Sequence, residues 1–231
     1  MSPIITISPR IYIVGGRDLS HILDSNVYLV KVNDFYILID VGTGLGFYNL
    51  LRNLLELNIR IEDIRYIFLT HAHFHAAGGA YMFNSLPGLI VAHEPDSSYL
   101  RSLDLRKMSV NEEYSSYMYP VFTSISIPLN KTIYKLSENI LVVHTPGHTK
   151  GSISVLVDSV KALFVGDLTS GILSKDWDSS LEDYYSSLNK VIELVDEHDI
   201  SILCSSYNCI RGKQGIIDLL RNSLHKEPIW V

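Results

Sequence analysis

Cysteine is nearly absent from the sequence, with Cys204 and Cys209 the only two. Two are too few for a disulfide framework, and their spacing is not that of a Cys-x-x-Cys pair, so both are expected to be buried, inert thiols. No dense block of Lys and Arg occurs either: 19 basic residues stand against 25 acidic ones, for a formal charge of -6. Neutralising a phosphate backbone takes clustered cations, which argues against nucleic acid as the main partner. No apolar run is long enough to span a bilayer, and Met1 to Ile7 has neither a basic n-region nor a long apolar stretch. No membrane association and a cytoplasmic location are therefore expected. Internal repeats and low-complexity tracts are missing too, and a composition 47% apolar and 19% charged is that of a globular protein. One domain over residues 1–231 is expected, with monomer and homodimer both left open.

What is there is an alternation of strand and helix signals. Apolar, β-branched runs at Ile4 to Ile7, Ile11 to Val14, Asn26 to Val32 and Phe35 to Ile39 read as strands, with Asn33-Asp34 a hairpin loop. Leucines at helical spacing within Leu45 to Leu57 precede a strand at Ile64 to Leu69, and a short helix is expected at Gly78-Gly79. Another buried strand is expected at Gly88 to Ala92. From about Asp96 to Pro128 the chain is rich in Ser, Tyr and Met and weakly periodic, which predicts a helical and looped insertion over a sheet end. Strands resume at Thr132 to Leu136, Ile140 to His144, Ser152 to Val157 and Ala162 to Val165. A long helix over Leu181 to Glu197, a strand at Ile200 to Cys204 and a helix over Lys213 to His225 follow. Sheet layers with helices on their outer faces fit this order.

Three imidazoles at alternate positions, His71, His73 and His75, directly follow the strand ending at Leu69. Loops at strand ends let functional side chains converge without disturbing a core, and clustered imidazoles suit Zn or Fe better than Mg or Ca. His148 sits in the turn Thr145-Pro146-Gly147-His148-Thr149-Lys150-Gly151-Ser152 after another strand, and Asp167 ends a third in Phe164-Val165-Gly166-Asp167. Taken alone, an Asp at the position of Asp167 is more often a helix or turn cap than a ligand.

Taken together, His-x-His-x-His, then Gly-His-Thr, then Gly-Asp resembles the metallo-β-lactamase superfamily over nearly the whole chain. Its first motif reads Thr-His-x-His-x-Asp-His-x-Gly-Gly, matched by Thr70, His71, His73, Gly78 and Gly79. Leu38-Ile39-Asp40-Val41-Gly42 matches its Asp-x-Gly turn, which makes Asp40 a candidate to orient a ligand histidine through its other ring nitrogen, with a plain turn Asp as the alternative. The resemblance implies an α/β fold, a four-layer αββα sandwich of two mixed sheets with helices outside. It also implies a first metal position formed by His71, His73 and His148, with Asp167 bridging toward a second.

The chain departs from that pattern at three places. His75 stands for the motif Asp, Ala76 for the following His, and Ser206 or Tyr207 for a late histidine, aligned at Cys204-Ser205-Ser206. The resemblance is to the glyoxalase II-like branch, and the departures imply a degenerate second site, with one ion held, zinc or alternatively iron, and a second ion weak or absent. The expected function is hydrolysis of a small-molecule ester, thioester or lactone through a metal-activated water, with His75 as catalytic general base in place of the missing Asp. An iron persulfide dioxygenase using His71, His148 and Asp167, and a non-catalytic binding protein, are the alternatives. Tyr99, Tyr114, Tyr117, Met118 and Tyr119 are candidates for a substrate pocket or for core packing, whereas Glu94, Asp96, Arg101 and Arg106 read as surface charges.

Overall fold

Short turns at Pro9-Arg10 and Asn33-Asp34, the latter with Asn33 at φ 53°, fold the apolar N-terminal runs into an antiparallel meander. The computed structural model describes residues 4–231, so Met1, Ser2 and Pro3 of the N-terminal stretch considered above lie outside the described residues. The meander consists of β1 (Ile5–Ser8), β2 (Ile11–Gly15), β3 (Val27–Val32) and β4 (Phe35–Ile39). Helix α1 (Phe47–Glu56) crosses over to β5 (Ile64–Phe68), α2 (Phe74–Ala77) leads to β6 (Leu89–His93), and α3 (Asp96–Ser102) precedes β7 (Ile125–Ile127). The first sheet runs β1 to β7 in order, antiparallel up to β4 and parallel beyond it.

The second half contains β8 (Ile133–Ser137), β9 (Ile140–His144), β10 (Ile153–Val157), β11 (Ala162–Gly166), β12 (Ile172–Leu173), α4 (Leu181–Glu197), β13 (Ile202–Ser205), β14 (Cys209–Arg211), α5 (Lys213–His225) and β15 (Ile229–Trp230). Six of these strands form a second sheet in the order β14-β13-β11-β10-β9-β8, with β11 and β13 parallel. Strands β12 and β15 pair separately.

Period-two alternation sorts the side chains into three apolar interfaces between four layers. Ile37 and Ile39 face inward with Phe68, Val142, Val155 and Phe164 between the sheets, whereas Leu38 faces outward with Leu50, Leu54 and Leu100 under the first helices. On the far side Val143, Leu156, Leu163 and Leu203 pack on Leu188, Val191 and Val195 of α4 and Ile216 and Leu220 of α5. The fold is the αββα sandwich with two mixed sheets.

Two expectations change. Cys204 and Cys209 are not thiols but a disulfide: they are direct cross-strand partners on β13 and β14, with Cα atoms 4.1 Å apart. A five-residue separation looks remote on paper, yet a hairpin register brings it into contact. Within 96–128, the last residues supply β7, the edge strand of the first sheet, so only the part before it lies outside the sheets.

Candidate metal centre

The ends of β5, β9, β11 and β13 open at one edge of the sandwich, where loops of the two sheets are tied together. Ile153 donates its amide to the Thr70 carbonyl (2.8 Å) and Asn26 to the Ser206 carbonyl (2.7 Å). Into this edge project His71, His73, His148 and Asp167, all buried, together with His75, whose side chain is 22% exposed. All five predicted site residues are brought together. His148 Nε2 lies 3.0 Å from His73 Nδ1 and 3.4 Å from Asp167 Oδ2. His75 Nε2 and His71 Nε2 lie 3.3 and 4.0 Å from the same oxygen.

Each half of the sandwich orients its own histidine. Asp40 accepts from the Thr70 amide and hydroxyl, both at 2.8 Å, and the Thr70 oxygen is then free to accept from His71 Nδ1 at 3.0 Å. That leaves His71 Nε2 with its lone pair toward the cluster. Asp40 thus orients a histidine as expected from its position, but through the Thr70 hydroxyl rather than by direct contact. His148 donates Nδ1–H to the Ile172 carbonyl at 2.8 Å, which turns its Nε2 lone pair inward. The Pro146-Gly147 turn that aims His148 is held by α4: the Ser180 amide donates to Gly147 and the Ser187 hydroxyl to Pro146.

Asp96 is where the sequence reading fails most clearly. It is not a surface charge but fully buried, because it accepts from the Ala72 amide (2.7 Å), the Thr149 hydroxyl (2.8 Å) and the Gly151 amide (2.8 Å). Ala72 lies between His71 and His73 and Thr149 beside His148, so one carboxylate joins both histidine-bearing loops. Of the named tyrosines, Tyr114 stacks on Phe74, Tyr119 lies tilted against Tyr81, Tyr99 donates to Asp178 and Tyr117 is exposed. A cavity of about 320 Å³ beside Asp167 is lined instead by Thr169, Ser170, Ser206, Tyr207, Ile210 and Leu219, among others.

The donor set fits a transition-metal ion. Within the group His71, His73 and His148 the ligand atoms lie within 4.8 Å of one another, as they do within the group His71, His75 and Asp167. Nε2 of His71 and Oδ1 of Asp167 are buried with no hydrogen-bond partner among the described residues, a costly arrangement that a cation relieves. The Ala76 side chain offers no ligand atom, and Ser206 Oγ is buried without a hydrogen-bond partner among the described residues.

The electrostatics follow from burial and neighbours. Burial, reinforced by the other imidazoles, holds His71 and His73 well below the ordinary imidazole value, and burial also lowers His148. Burial works against both members of the His75–Asp167 pair, but their mutual attraction outweighs it, raising His75 and holding Asp167 well below the carboxylate range. Burial pushes Asp40 up to about 7 and Asp96 up to about 6, and lowers His144 to about 4.

These directions set an acid limit. Near pH 5 the imidazoles of His71, His73 and His144 take up protons only on unfolding, whereas Asp40 and Asp96 release theirs. The imidazoles outnumber the carboxyls, so unfolding takes up protons and stability rises with pH there. The denaturant midpoint of metal-free protein should therefore fall from pH 7 to pH 5; an unchanged or higher midpoint at pH 5 contradicts this account.

A four-layer sandwich with a histidine cluster at one sheet edge defines a metal-binding αββα protein. The Metallo-beta-lactamase superfamily matches residues 22–197, and the chain belongs to that superfamily. A Methanocaldococcus jannaschii protein named "Probable metallo-hydrolase" is 30% identical over 78% of this chain and 85% of its own length. An acyl-coenzyme A thioesterase of Homo sapiens is 25% identical, over 96% of this chain and 84% of that protein. A metallo-beta-lactamase structure from Cronobacter sakazakii superposes with a TM-score of 0.72 at 19% identity, covering 96% of this chain and 94% of that one, a likeness of fold alone.

Proposed function

We propose that this chain is a metal-dependent hydrolase of small esters, thioesters or lactones, with one ion, zinc before iron, held by His71, His73, His148 and Asp167. The observation that carries this is the convergence of three imidazoles and a carboxylate in one buried cluster. An ion there would make water nucleophilic near neutral pH and polarise a carbonyl oxygen. The protein's own part is orientation: Thr70 with Asp40, and the Ile172 carbonyl, keep His71 and His148 in the ligating tautomer.

His75, partly open to solvent and 3.3 Å from Asp167, is placed to hold or pass on a proton at Nε2. Its partnership with Asp167 makes it a proton donor to a leaving group as readily as a base. The cavity beside Asp167 would take a small acyl group, and the thioesterase named above supports that substrate class. Ala76 and Ser206 support a single ion, since they leave a second ion few ligands of its own.

Zinc-loaded protein assayed on short acyl-coenzyme A thioesters, simple esters and lactones tests the reading. Turnover is expected on at least one class, with about one retained equivalent of zinc, and His148→Ala should lower it at least ~10³-fold by emptying the site. His75→Ala should lower turnover by ~10²-fold while zinc stays bound. Two tightly held equivalents would sink the single-ion reading, and a zinc-loaded protein inert on every class would sink the hydrolase.

A further inference from the structure

We propose that Trp177 is a positioning residue for the metal centre: its indole face receives the His73 Nε2–H and holds that imidazole in the ligating orientation. The inference rests on the reading above that His73 holds an ion.

The three imidazoles are supported unequally. His71 has the Thr70 hydroxyl and behind it Asp40, and His148 has the Ile172 carbonyl. His73 has nothing equivalent: its Nδ1 faces His148 Nε2, and its buried Nε2 has no hydrogen-bond partner among the described residues. Against the His73 ring lies the Trp177 indole, centroids 4.4 Å apart and planes at 64°, an edge-to-face arrangement. The same indole lies 5.3 Å from the His148 ring. An aromatic face is electron-rich and an N–H edge is positive, so the indole can accept where no oxygen is present. With Nδ1 required as a lone-pair donor to the ion, the neutral imidazole must carry its hydrogen on Nε2.

The indole is itself held firmly. Trp177 ends the 3₁₀ turn Lys175–Trp177, capped by Ser174 and followed by Asp178 in the left-handed region at φ 56°. Asp178 accepts from Lys107 Nζ and Tyr99 Oη, both at 2.6 Å, and Arg106 pairs with Asp176. The weakly periodic stretch after Asp96 thereby pins the turn carrying Trp177, and that turn backs two ligands.

The test combines variants with a measurement on the unaltered chain. Zinc affinity, read by chelator competition, should weaken by about 10- to 100-fold in Trp177→Leu, the loss typical of removing a ligand's outer partner. In Trp177→Phe, which keeps an aromatic face, it should return to within about threefold of the unaltered protein. The cobalt-loaded absorption spectrum should change in the Leu variant and be restored in the Phe variant. In zinc-loaded, histidine-labelled protein, the ¹H–¹⁵N spectrum should show the His73 hydrogen on Nε2, shifted upfield by the indole ring. Affinities equal to wild type in both variants overturn the proposal, as does equal weakening in both. A His73 hydrogen on Nδ1, or an Nε2–H without the ring-current shift, overturns it even if Trp177→Leu fails to fold. Absence of zinc binding by the unaltered protein would instead defeat the underlying metal reading.

Discussion

Replacing Asp96 with alanine is expected to lower stability by ~3–5 kcal/mol and to abolish tight zinc retention, although Asp96 belongs to neither proposed ligand group. The reason is the number of donors that converge on it. The Ala72 and Gly151 amides lose their acceptor and are left buried, at a cost of ~1–3 kcal/mol each. Thr149 suffers less, because its hydroxyl also lies 2.7 Å from Ser152 Oγ. The cost is moderated by the carboxylate itself, whose charge burial already disfavours. Asp96→Asn keeps the shape but sets an amide N–H₂ against one of the donors, so about half the loss is expected. For a chain of this length each kcal/mol moves the midpoint by ~2–4 °C, placing Asp96→Ala roughly 6–20 °C below wild type. A thermal midpoint within about 3 °C of wild type, with zinc content unchanged, defeats the clamp argument.

Why Asp96 could not be read from the chain, while the histidines could, is a matter of range. His71, His73 and His75 advertise themselves because three imidazoles in five residues are chemically conspicuous and the period-two strand before them fixes where they emerge. The α4 and α5 helices were equally legible, since an amphipathic repeat over a dozen or more residues has few competing explanations. Asp96, by contrast, takes its character from partners 24, 53 and 55 residues away, and nothing local distinguishes it from a solvated carboxylate. Trp177 is similar: its meaning comes from lying on His73 and His148, not from its neighbours in sequence. The cysteines failed for the opposite reason. Their pairing is local but depends on a hairpin register at Ser205 to Asn208, and short strands such as β14 carry too few residues to show a pattern. Asp40 lies between these cases, legible by position, with its route to His71 through Thr70 visible only in three dimensions.

Gly147→Ala should be the most damaging single methyl in the molecule's second half, costing ~3–6 kcal/mol and releasing the ion through loss of His148 geometry. Gly147 sits at φ +135°, where a side chain is strained, and a Cβ there would lie 2.4 Å from Tyr184 Cα and 2.5 Å from Tyr184 N. These are backbone atoms of α4 and cannot rotate away. The helix cannot retreat either, because Tyr184, Leu188, Val191 and Val195 are buried against the second sheet. Nor can the turn back off without breaking the bonds from Ser180 to Gly147 and from Ser187 to Pro146. The strain therefore goes into the next residue, His148, whose Nδ1 bond to Ile172 and approach to His73 depend on that turn. Gly212→Ala separates strain from collision: φ is also positive there, at +88°, but nothing lies within 4 Å of the added carbon, so only ~1–3 kcal/mol is expected. Thermal unfolding with zinc analysis of both variants should show a large drop and lost metal for Gly147→Ala, and a small drop with metal retained for Gly212→Ala. Equal effects would mean that backbone conformation, and not the contact between turn and helix, sets the position of His148.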